Sequence, residues 1–136
     1  MDWNRFVGLW PEELDPSGAL GPCWPLVRAV YRAGLGVDLP AHDTVPAGDG
    51  PAIEAAARAE IAANPWRPVD LGRERAFDVM LCEDEGGAGH VGVVLEPGRL
   101  LHAMRGHASC QTRYDRRTGR PFRIAGIYRW DARRPG

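Results

Sequence analysis

Residues 90–104 read HVGVVLEPGRLLHAM. Two runs dominated by Val and Leu flank Pro97-Gly98, a pair that closes tight turns. The spacing predicts strands over 90–95 and 99–104, paired as an antiparallel hairpin. Folding at that turn sets His90 and His102 adjacent or diagonal on the paired strands. With the same sidedness, both rings share one face.

On either side of the hairpin, 76–82 (AFDVMLC), 108–114 (ASCQTRY) and 124–130 (IAGIYRW) carry the apolar, β-branched and aromatic residues of further strands. Two helices are expected upstream. In 23–33, CWPLVRAVYRA, Trp24, Val27, Val30 and Tyr31 recur at helical spacing, with Leu26 on the same broad face. Pro25 is tolerated because it falls in the first turn, and Gly34 and Gly36 supply the stop. In 51–63, PAIEAAARAEIAA, Pro51 looks like the first helical position and Ile53, Ala56, Ala57 and Ile61 make one modest apolar face; Asn64 and Pro65 end it. Residues 1–22, with Pro11, Pro16, Gly18, Gly21 and Pro22 between aromatics, read as an ordered, mostly irregular lead-in, and 37–50 as a Pro/Gly linker. Helices followed by adjacent strands predict an α+β domain, with N-terminal helices packed on an antiparallel sheet of about five strands. One domain is expected over 1–136.

Composition narrows the function. Of 136 residues 44% are hydrophobic, enough for a packed core. All 17 basic residues are arginine, which excludes lysine-dependent chemistry: Schiff bases, P-loops and Ser–Lys dyads. Net charge is −1, yet 113–136 holds eight arginines against Asp115 and Asp131. That end could lie against an acidic partner, although arginines interleaved with strand residues read first as a solvated face, and no specific nucleic-acid binding is expected. Three cysteines without regular spacing do not make a disulfide scaffold. The opening MDWNRFVGLWPEELD lacks the apolar stretch of a secretory signal, and no window approaches the ~20 apolar residues of a membrane span. A soluble chain made in the cytoplasm is expected.

The chemistry centres on Cys23. A cysteine opening a helix meets unpaired amides and the positive end of the helix dipole, which favour thiolate, the nucleophilic form. Cys82 and Cys110 read instead as small buried residues. A helix packed with its N-terminus near the hairpin would present Cys23 to His90, giving nucleophile, base and base-orienting group. His107 reads as a loop residue, His42 is assigned no role and Asp78 reads as structural. The cluster Glu83-Asp84-Glu85 lacks calcium-loop spacing and reads as a solvated turn. A zinc site of His90, His102 and Cys23 or Cys110 lacks a short paired motif. Neither metal nor cofactor is expected.

The stretches FVGLW, GPCWPLVRAVYRAGLGVDLP, FDVMLCE and GHVGVVLEPGRLLHAMRG resemble, in order over residues 6–106, the NlpC/P60 cysteine peptidase family, and most closely its phage-tail branch of cell-wall peptidases. The family's motifs fall on Cys23-Trp24, His90-Val91-Gly92 and His102-Ala103. The resemblance implies a papain-like fold and a Cys-His-His triad of Cys23, His90 and His102. It further implies a peptidoglycan peptide as substrate, the D-glutamyl to diamino-acid bond as target, and tail-tip or hub proteins of a phage-like particle as partners. Two features depart from the family pattern: Pro22 stands where Asp is usual, and no Tyr precedes Cys23. They motivate the alternative of a tail-tip docking module that retains the fold with weak or no activity.

Overall fold

The computed structural model describes residues 1–16, 22–42, 45, 49–84, 87–104 and 106–131. A single 3-10 turn, Trp3–Phe6, and a short helix α1, Pro11–Leu14, lie within the lead-in, which is thus more regular than its prolines suggest. Gly18 and Gly21 of the lead-in, Pro46 and Gly48 of the linker, Glu85, and Arg133 and Arg134 of the basic end lie outside the described residues.

Helix α2, Cys23–Leu35, begins and is spaced as the sequence predicts, burying Leu26, Val27, Val30 and Tyr31. Gly36 closes it at φ 65, the left-handed conformation that glycine adopts without Cβ strain. Helix α3, Gly50–Ala63, is capped by the Asp49 carboxylate, which accepts from the Ala52 amide at 3.0 Å.

The described residues hold six strands: β1 Trp66–Pro68, β2 Val79–Asp84, β3 Gly87–Glu96, β4 Arg99–His102, β5 Cys110–Arg113 and β6 Arg123–Trp130. They form one antiparallel sheet in the order β1-β6-β2-β3-β4-β5. The mixed fold is the expected one, with one strand more than the expected five. The extra strand is β1, a three-residue edge that ends in Pro68; a proline's missing N–H does no harm on an edge. Strand β2 starts at Val79 rather than 76. Phe77 sits at φ 74, and Asp78 accepts from the Arg75 amide at 2.8 Å, so 75–78 turn before the strand begins.

The hairpin β3–β4 has the predicted turn, and its register pairs Gly92 with His102. Both faces of the sheet are covered, which is why Val93 and Val94, on opposite faces, are each 0% exposed. The helices pack on the face carrying Val79, Val93 and Leu101, together with Tyr31 and Trp66. Met80, Cys82, Val94, Leu100, Tyr114 and Ile127 form the other layer, backed by Val69, Leu71, Phe122 and Ile124.

Candidate active site

Cys23 is the first residue of α2, and burial decides the state of its thiol. Burial pushes it above the ordinary thiol range, against the N–H groups of Val91, Trp24 and Cys23 itself, which pull it down. The helix end thus acts in the expected direction but is outweighed, which corrects the expectation of a lowered thiol. The correction has a simple cause: α2 drives its N-terminus against β3, so the amides that favour thiolate come with the desolvation that opposes it. The tie the structure shows between helix end and strand is this thiol–amide contact at Val91, the residue after His90.

His90 and His102 are brought together directly. His90 Nε2 and His102 Nδ1 are 2.9 Å apart, with ring planes at 80°. The register explains the contact, since His102 faces Gly92 and therefore lies diagonal to His90 on the same side of the sheet. Gly92, opposite His102, has no room for a side chain: a Cβ there would stand 2.8 Å from Leu100 Cγ and from the Leu101 carbonyl oxygen. His102 is 5% exposed, and burial lowers its imidazole below the ordinary range, so it is neutral at pH 7. Phe122 stands edge-on to it at 5.3 Å.

The far nitrogen of His102 meets a residue that the sequence did not single out. His102 Nε2 lies 2.7 Å from Thr112 Oγ1 and 3.6 Å from Cys110 Sγ. A neutral His102 has one N–H, so the three groups are coupled. When His90 Nε2–H donates to His102 Nδ1, the His102 proton resides on Nε2 and donates to Thr112, and a neutral His90 presents a bare Nδ1. The reverse arrangement puts a proton on His90 Nδ1 and removes its basicity there. Thr112, able to accept, is compatible with the arrangement in which His90 is a base.

Cys110 corrects a second expectation. It is exposed rather than buried, on the edge strand β5 directly opposite His102. Cys82 is buried as expected, its thiol pushed up to about 12 by burial first and by nearby Cys23 second. His107 sits in the bend after β4, its amide donating to the Met104 carbonyl, and Asp78 is the structural residue expected, 1% exposed and held by Arg129 at 2.7 and 2.8 Å.

Cys23 also lines a cavity of about 110 Å³ between α2, α3 and the sheet, together with Trp24, His42 and Glu60. Glu60 is 6% exposed, and its oxygens are engaged by His42 Nε2, Asn64 Nδ2 and Trp66 Nε1, each at 2.8 Å. The rings of His42 and Trp24 are 5.7 Å apart, so His42, assigned no role from sequence, belongs to this pocket. Only the fold could reveal it, because its walls come from separate segments. Among the described residues no group of three or more His, Cys, Asp and Glu side chains is placed to hold a metal ion, and no helix is long and apolar enough to cross a membrane.

No family model and no curated protein matches the chain. Among solved structures it is similar to the NlpC/p60 domain of the peptidoglycan hydrolase SagA, at 22% identity and a TM-score of 0.50 over 81% of each chain. What that likeness establishes is the architecture: helices laid on an antiparallel sheet, on the fold of an NlpC/p60 domain.

Proposed function

We propose that this chain is a cysteine peptidase that hydrolyses amide bonds in the peptide part of peptidoglycan. Cys23 is the nucleophile, His90 the base and His102 the residue that holds His90 in its basic tautomer. One observation carries the reading: the chain Thr112–His102–His90 ends on the residue whose neighbour, Val91, lines the same pocket as Cys23. The SagA domain and the resemblance in sequence add the substrate class.

In the first step the Cys23 proton passes to His90 and the thiolate attacks the scissile carbonyl carbon. The Cys23 N–H is the available donor for the oxyanion. The C–N bond then breaks, with His90 returning the proton to the leaving amine. Water next attacks the thioester, giving up a proton to His90; the carboxylic acid leaves and the thiol is restored. A thiol raised by burial suits this route, because the proton is handed over during attack rather than lost beforehand.

The finer reading has the cut at the D-glutamyl to diamino-acid bond and the chain on the tail of a phage-like particle. Tail-tip or hub proteins are its neighbours there, and the exposed arginines of 113–123 are one docking side. Cys23→Ala tests the core of the proposal. Release of new amino groups from peptidoglycan fragments should fall at least about a thousandfold while the thermal transition stays in place. Equal activity in that variant overturns it. The same raised thiol favours a second reading, a docking module of low activity. A folded wild-type chain with no turnover above the Cys23→Ala background decides for it.

A further inference from the structure

The sheet ends at β5, and the backbone bonds there alternate along the strand. The Tyr114 amide donates to the Gly98 carbonyl at 2.9 Å, and the register sets Arg113 opposite Arg99. In an antiparallel ladder, successive residues turn their N–H and C=O groups alternately toward and away from the neighbouring strand. Cys110 and Thr112 therefore bond to β4, while Ser109, Gln111 and Arg113 direct theirs outward. The lead-in takes up only the first of these: the Gly8 amide donates to the Ser109 carbonyl at 2.8 Å, and the Ser109 amide to the Leu9 carbonyl at 2.7 Å. Ser109 is buried there, whereas Gln111 and Arg113 are exposed, and among the described residues nothing pairs with their outward backbone groups. Charge says what fits this edge. Arg113 stands directly opposite Arg99, a like-charge pair that opposes the pairing of the two strands. Glu96 lies 3.2 Å from Arg99, but among the described residues no carboxylate forms an ion pair with Arg113. Arg117 and Arg120 extend the positive charge into the exposed turn that follows, where the Asp115 carboxylate accepts from the amides of Arg117 and Thr118.

We infer that the outer edge of β5 is a docking strand, which takes an extended acidic segment of a partner protein as a further strand beside Gln111 and Arg113. The outward N–H and C=O groups of those two residues hold the segment, and a carboxylate on it meets Arg113. The inference deepens the docking side proposed above and rests on that reading for the existence of a partner; it needs no peptidase activity.

The test is an NMR titration of the intact chain with a capped peptide, Thr-Glu-Val-Glu-Val-Glu-Thr, and with its counterpart carrying lysine for glutamate. The acidic peptide should bind saturably and slow amide exchange at Gln111 and Arg113, and the lysine peptide should bind at least about tenfold more weakly. N-methylation of alternate peptide residues should weaken binding at least about tenfold for one set and little for the other, because only one set turns its N–H groups to β5. Gln111→Pro removes an outward N–H that the ladder does not use, so the thermal transition should stay in place while binding is lost. Arg113→Glu should reverse the preference toward the lysine peptide, and it serves if the proline variant does not fold. Cys23→Ala should bind the acidic peptide as the wild type does. Absence of saturable binding, equal binding of the two peptides, or binding without protection at Gln111 and Arg113 overturns the inference. Self-association that Gln111→Pro abolishes also overturns it, giving the edge to a second copy of the chain. Because binding is read without turnover, peptide binding without cleavage defeats only the peptidase reading, and cleavage without peptide binding defeats only the docking strand.

Discussion

His102 has one proton for two neighbours, and its low basicity makes the sharing strict. Burial keeps the ring neutral, so its hydrogen bonds to His90 and Thr112 cannot both be donated. The threonine hydroxyl can donate or accept; its value is that it tolerates the tautomer in which His90 Nδ1 is a bare base. Thr112→Val removes the acceptor at nearly constant volume. Turnover should fall about fivefold to tenfold, the equivalent of one hydrogen bond of about 1 kcal/mol, with KM unchanged. The limb of the pH–rate profile that reports His90 should move with it, and Thr112→Ser should restore both. A loss that appears only in KM, or one that serine does not rescue, removes Thr112 from the positioning chain.

At the level of elements, the β3–β4 hairpin couples stability to the site through Gly92. A methyl group there meets the Leu101 carbonyl at 2.8 Å, and that contact is with backbone, which cannot swing aside. Gly92→Ala should therefore cost about 1–3 kcal/mol in thermal unfolding and also pull His90 from His102, so that activity falls more than stability alone accounts for. The hairpin was legible because its turn and its Val/Leu runs are local signals, and α2 because its apolar period and glycine stop lie within one segment. Strand β1 was not legible: three residues that follow one proline and end in another gain their pairing only from β6, more than fifty positions away. The same limit applies to the site. The meeting of His90 and His102 was legible from residue type and hairpin spacing, but Thr112, the exposure of Cys110 and the cavity depend on register and packing across separate segments. The state of the Cys23 thiol was misjudged for a related reason, since a helix end can be read from sequence and the burial around it cannot.

Across the whole molecule, the outer layer that covers the histidines is fastened by a carboxylate. Glu74, with no side-chain exposure, accepts from the Tyr114 hydroxyl and from Arg116, forty and more residues along the chain, and from the Gly72 amide at 2.7 Å. Burial alone would raise its carboxyl, but these bonds outweigh it and hold the group below the ordinary range. The folded chain therefore binds fewer protons at this site than the unfolded chain, whose glutamate titrates near 4.3. The stabilisation is fully present above about pH 4.3 and is lost as pH falls through the folded value. Tyr114 packs with Phe122, which in turn stands against His102, so release of Glu74 loosens the cover over the site. Thermal melts from pH 7 to pH 3 should show a decline in the wild type below pH 5 that is shallower in Glu74→Gln. That variant should start about 1–3 kcal/mol less stable at pH 7, having lost a charge-assisted pair. If the two decline in parallel, the acid sensitivity comes from other carboxylates and Glu74 is an ordinary buried acceptor.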